Sequence, residues 1–244
     1  MNNKEILDYQ VRSYRDMLEW NHEEGREETI LPIVNFFRND YEAPLISMIL
    51  RPFDTETKAV TFATAMLVNA VLPIDKVGVT MDATVSKREN DTEGKTIEEQ
   101  YKTIEEQLEV MPSQDPTAVD VIFSQVYERN GNVDISGIEY SIEDKTGNLV
   151  FNEDSDFYEQ QGGEMRGMLS DIIEGSFNTP EEALMKFSGN LNPKERSIEY
   201  FETLMTMLSG LGYLVMATHE GIDFLNSIGI TDTQFEDYIK TEEE

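Results

Sequence analysis

The chain has 244 residues, 49 acidic against 19 basic, no cysteine, and a formal net charge of −30. That length can bury a full core, and twelve Phe, ten Tyr and twelve Met separate the chain from a disordered acidic tail. The lack of cysteine excludes disulfides, zinc–thiolate sites and a cysteine nucleophile, while the charge argues against nucleic-acid phosphates and anionic membranes as direct partners.

The first expected element is a helix. Ile6, Leu7, Val11, Tyr14, Met17 and Leu18 recur at steps of three and four, and Gly25 is a natural stop. The start, Met1-Asn-Asn-Lys-Glu, has no basic stretch leading into an apolar run, so no secretory signal is expected and the location expected is cytoplasmic. Residues 29–38 (TILPIVNFFR) are apolar with Pro32 near their start, which predicts a second helix. Leu45–Leu50 lies between Pro44 and Pro52 and reads as a short buried strand. Residues 55–72 are dense in apolar side chains and read as a buried helix ending before Pro73. Val77, Val79, Met81, Ala83 and Val85 alternate with small or polar residues, the period of a half-buried strand.

Residues 118–152 read as a three-stranded meander. Asn130-Gly131 is a strong hairpin signal, and the segment from Lys145 to Asn148 supplies a second turn. Val133 and Ile135 share one phase, whereas Ile138, Tyr140 and Ile142 share the other. A β-bulge at Gly137 would restore a single buried face. The remainder reads as helical. Thr179-Pro180 and Asn192-Pro193 are helix starts, and Thr231 with Gln234 opens a last helix. Thr203–Thr218 is an uncharged run of 16 residues, shorter than the ~20 a membrane span needs. It reads as a buried helix, so no membrane partner is expected.

The expected fold class is α+β: a mixed or antiparallel sheet of about five strands with a β-meander at 118–152, packed helices and a C-terminal helical region. Residues 1–158 form an α+β domain with an N-terminal helical segment and an acidic helical insertion at about 89–112. Residues 159–244 form a helical region, either separate or part of the same domain.

Charge is unevenly placed. Residues 31–88 and 183–219 are each neutral overall, whereas 134–182 carry −11, 220–244 carry −7 and 89–109 carry −6. Those three segments hold −24 of the −30. From them comes a candidate interaction surface of Glu98, Glu99, Glu105, Glu106, Glu109, Glu139, Glu143, Asp144, Glu153, Asp154, Asp156 and Glu159. A seven-residue duplication, KTIEEQY then KTIEEQL over residues 95–108, aligns Ile97, Tyr101, Ile104 and Leu108 on one helix stripe, a candidate docking face.

Catalytic signals are sparse. His22 and His219 are the two histidines, and neither lies in an HExxH pattern. They could share a zinc site with carboxylates only if the chain ends meet. No GxSxG, Walker A or GxGxxG sequence occurs, and no cofactor is expected. The stretch from Glu89 offers EF-hand-like oxygens with Gly94 in place, but Gln100 stands where a bidentate Glu is needed.

These features predict an acidic, non-catalytic interaction protein, accessory or scaffold, with a protein partner of basic character. The Asn- and Glu-rich, cysteine-free composition resembles that of small bacteriophage accessory proteins, by composition alone. The first alternative is a nucleic-acid mimic that inhibits a basic nucleic-acid-binding protein. The second is a metal-dependent enzyme using carboxylates and histidine.

Overall fold

The computed structural model describes residues 1–25, 31–50, 66, 68–69, 72, 74–86, 117–143, 146–152, 160–163, 168–177, 204–206, 208–210 and 212–227. In chain order the elements are α1 (Asn3–Glu23), β1 (Ile33–Phe37), β2 (Ile46–Ile49), β3 (Lys76–Ser86), β4 (Ala118–Glu128), β5 (Val133–Ile142), β6 (Leu149–Asn152), β7 (Gln160–Gly163), α2 (Met168–Phe177), β8 (Leu214–Ala217) and α3 (His219–Ser227). The class is α+β. All pairings are antiparallel, and the sheet runs β6-β5-β4-β3-β1-β2-β8, with β7 paired to β5 off that path. The sheet is wider than the five strands expected, because β1, β7 and β8 join it.

Helix α1 begins with a capping box. Asn2 Oδ1 accepts from the Glu5 amide at 2.9 Å, and the Glu5 carboxylate accepts from the Asn2 amide at 2.8 Å. Its inner stripe is Ile6, Leu7, Gln10, Tyr14 and Leu18. The stripe covers one face of the sheet, meeting Ile33, Phe37, Ile122 and Val126. The opposite face carries the largest core. There Val34, Phe36, Met48 and Val77 meet Met66 and Val68, Ile173 and Phe177 of α2, and Phe224 and Leu225 of α3. The sheet is therefore covered on both faces over its middle.

Three sequence expectations are overturned, the first two by this double coverage. Residues 33–37 form a strand rather than a helix. β1 lies between β2 and β3, and all five of its residues are buried. A strand buried on both faces reads as a continuous apolar run, without the alternation that marks a strand. No bulge occurs at Gly137, since β4 and β5 stay in unbroken register from Asp120↔Tyr140 to Tyr127↔Val133. The phase slip instead marks a change of covered face: Val133 and Ile135 point into the larger core, whereas Ile138 and Tyr140 point toward α1. Finally, the run 203–218 is not one helix. Helical residues at 204–206 and 208–210 end at Gly212, whose φ of 83° suits glycine, and β8 follows.

The two hairpins are as expected. Gly131 has φ 89° in the β4–β5 turn, where the Asn132 amide donates to Asn130 Oδ1 at 2.9 Å. Gly147 has φ 69° in the β5–β6 turn, where the Glu143 amide donates to the Asn148 carbonyl at 2.9 Å.

Candidate functional site

Polar side chains concentrate between α1 and the sheet. Thr80 and Ser124 share a hydrogen bond across β3 and β4 at 3.1 Å, and the Ser124 hydroxyl donates to Gln10 Oε1 at 3.4 Å. Gln10 lies flat over Gly78, where a Cβ would stand 2.3 Å from Gln10 Nε2. One helical turn further on, the Asp82 amide donates to the Tyr14 hydroxyl at 3.0 Å, and the Tyr140 hydroxyl donates to Asp82 Oδ1 at 2.8 Å. Asp120, across β3–β4 from Thr84, accepts from that threonine's hydroxyl at 2.9 Å.

The electrostatics follow from burial. Desolvation raises the Asp82 carboxyl above the usual carboxylate range. The Tyr140 hydrogen bond opposes that shift, and the Asp120 charge adds to it. Burial, reinforced by Asp82, raises the Tyr14 phenol, and burial with the hydrogen bond to Asp82 raises that of Tyr140. Both phenols keep their protons at neutral pH, so neither is a base. The Tyr14–Asp82–Tyr140 network ties α1 to the sheet. Its residues carry no motif that sequence reasoning could have used; Asp82 reads there as an ordinary solvent-side position in a strand.

Next to this network, β5 and β6 form one end of the sheet path. A groove of about 300 Å³ opens there, lined by Ala118, Val119, Asp120, Glu139, Tyr140, Ser141, Val150 and Asn152. Two exposed apolar side chains sit on this hairpin, Ile142 at 43 % and Val150 at 47 % exposure, on opposite faces of the sheet.

Of the residues expected on an acidic surface, Glu139 and Glu143 are described. Glu139 is buried on β5, opposite Asn152, while Glu143 is exposed at the hairpin, where its carboxylate accepts from the Thr146 hydroxyl at 2.6 Å. Glu98, Glu99, Glu105, Glu106, Glu109, Asp144, Glu153, Asp154, Asp156 and Glu159 lie outside the described residues, as does the whole stripe Ile97, Tyr101, Ile104 and Leu108. Among the described residues acidic side chains still outnumber basic ones, nineteen to six. None of the apolar clusters holds a charged side chain.

The two histidines do not meet. His22 Nε2 bonds the Gly147 carbonyl at 2.7 Å, beside β6, whereas His219 opens α3 directly after β8. Those strands end the sheet path on opposite sides, roughly 29 Å apart at ordinary strand spacing. Among the described residues no group of three or more His, Asp or Glu is placed to hold a metal. No helix of the described residues is long and apolar enough to cross a membrane.

The total surface is 15155 Å², which over thirty net charges is about 505 Å² for each. Duplex DNA presents roughly 110 Å² per phosphate on a cylinder of ~10 Å radius. Evenly spread charge is thus nearly five-fold too sparse to imitate a duplex. No family model matches the chain, and no curated protein or solved structure matches it.

Proposed function

We propose that this protein is a non-catalytic accessory or scaffold protein that binds a protein partner of basic character. The observation that supports this most directly is the β5–β6 hairpin, which joins exposed apolar side chains, Ile142 and Val150, to an exposed carboxylate, Glu143, within a chain of net charge −30. Charge attracts and orients an oppositely charged partner over a distance, and apolar contact then holds it. Neither would suffice alone: charge at this average density is screened beyond a Debye length of ~8 Å at physiological salt.

Calorimetric titration of a panel of basic and acidic proteins, at 0.05 M and 0.3 M salt, tests this reading. Basic members should bind at low salt, with part of the affinity surviving at 0.3 M. The surviving part should fall when Ile142 and Val150 are replaced by serine, a change that leaves the charge unaltered. Equal binding of basic and acidic members would refute the reading, as would complete loss of binding at 0.3 M salt.

A further inference from the structure

We infer that the outer edge of β6 takes an extended, basic peptide segment of the partner by strand addition. This rests on the reading of the protein as an acidic interaction partner and assigns the place of contact. Three features carry it.

The first is the backbone. The Glu143 amide bonds the Asn148 carbonyl, so along the ladder Val150 and Asn152 point their amides and carbonyls inward to β5, while Leu149 and Phe151 point theirs outward. Among the described residues β6 pairs with β5 alone, and no strand lies beyond its outer side along Leu149 and Phe151. A strand edge with no partner among the described residues is a template for another strand.

The second is the sequence of that edge. Leu149-Val-Phe-Asn152 has three residues of high strand preference or bulk, no charge and no proline, so within the strand nothing discourages pairing. Val150 is exposed on the face that bears the groove and can take an apolar side chain from an added strand.

The third is charge, and it selects the occupant. β6 lies within residues 134–182, net −11, with Glu143 and Asp144 before it and Glu153 and Asp154 after it in the sequence. A second copy of the chain would bring the same acidic flanks against each other, which is unfavourable. A strand that alternates lysine or arginine with apolar residues meets the flanks with opposite charge and Val150 with apolar surface.

The test uses the full chain and an alternating lysine–valine heptapeptide. Binding should slow amide exchange at Leu149 and Phe151, whose amides face outward, and leave Val150, already paired to Ser141, unchanged. The same peptide N-methylated at all its backbone amides, or with glutamate in place of lysine, should not bind. Val150→Lys, at an exposed position, should weaken the parent peptide about tenfold. Leu149→Pro removes an outward amide and should abolish binding; if that variant fails to fold, Val150→Lys decides. Undiminished binding of the N-methylated peptide overturns the inference. So does self-association of the chain that the peptide cannot displace, since a second copy would then be the occupant. Binding of the parent peptide with exchange slowed elsewhere, and with Val150→Lys silent, overturns this site yet leaves the broader reading standing. Failure of the peptide together with the basic protein panel removes both.

Discussion

Replacing Gly221 by alanine should undock α3. An added Cβ would stand 1.9 Å from the Leu45 carbonyl oxygen and 2.8 Å from the Leu45 carbonyl carbon. Both are backbone atoms of a loop that joins a core strand, so no side chain can swing aside. Restoring an ordinary contact needs a displacement of about 1.5 Å. That shift breaks the local anchorage. The Thr218 hydroxyl donates to the Pro44 carbonyl at 2.7 Å and caps the Gly221 amide at 3.0 Å, and the Glu220 carboxylate accepts from the Glu42 and Ala43 amides at 3.2 and 3.3 Å. Overpacking strain and the loss of two or three such bonds together amount to roughly 3–5 kcal/mol. For a chain of this size that lowers the melting temperature by roughly 6–20 °C. Urea denaturation followed by circular dichroism gives the free energy, and amide exchange along 219–227 shows whether α3 opens first. A variant within ~0.5 kcal/mol of the parent would refute the close approach on which the magnitude rests.

Three further outcomes are expected. Gly175→Ala, inside α2 where an added Cβ meets nothing within 4 Å, should stabilise the protein by ~0.5–1 kcal/mol in the same urea assay; a loss of stability would contradict the open space. Gly78→Ala should destabilise by roughly 1–3 kcal/mol because its Cβ meets the Gln10 side chain, and the penalty should shrink in the double variant with Gln10→Ala; simple additivity would show that the two do not touch. Asp82→Asn keeps an acceptor for the Tyr140 hydroxyl and removes a part-buried charge. Because the folded Asp82 carboxyl titrates above its unfolded value, its charge opposes folding above the folded pKa, and that cost fades as pH falls through it. The gain from Asp82→Asn should therefore be larger at pH 8 than at pH 4, measured as urea midpoints, and an equal gain at both would rule out the shift.

The parts of the interaction surface differ in how far sequence could foresee them. Glu143 was legible as part of an acidic block, and it is exposed at a hairpin whose turn residues were legible too. Glu139 belongs to the same block by composition, yet it is buried, on the face of β5 turned away from α1. A charge count along the chain carries no information about side. The outward amides of Leu149 and Phe151 follow from hydrogen-bond phase in the hairpin, and that phase depends on which turn closes it. The sequence from Lys145 to Asn148 suggests a turn without fixing its phase.

Two of the misread elements, β1 and β5, share one physical cause. Sequence patterns report which side of an element meets water, and they fail where neither side does or where the side changes along the element. β1 meets water on neither face, so IVNFF lost its alternation and passed for a helix behind Pro32. β5 exchanges the face it buries midway, so its alternation slips without any bulge: the half beside Tyr127 and Gln125 faces the larger core, and the half beside Ile122 and Asp120 is covered by α1. β8 is four residues at an edge, too short to show a period beside the helical residues before Gly212. α1, which has one wet side, was read correctly, and β3 was read as a strand, but its polar face at Gly78 and Thr80 lies under α1 rather than in water. The same reasoning bears on β6, since at the edge of a sheet covered on both faces over its middle it leaves Val150 exposed on one face and its neighbour Ile142 exposed on the other. Leu149 and Phe151 of that strand pack against the α1 cluster, which leaves Val150 as the apolar side chain of β6 that an added strand would cover.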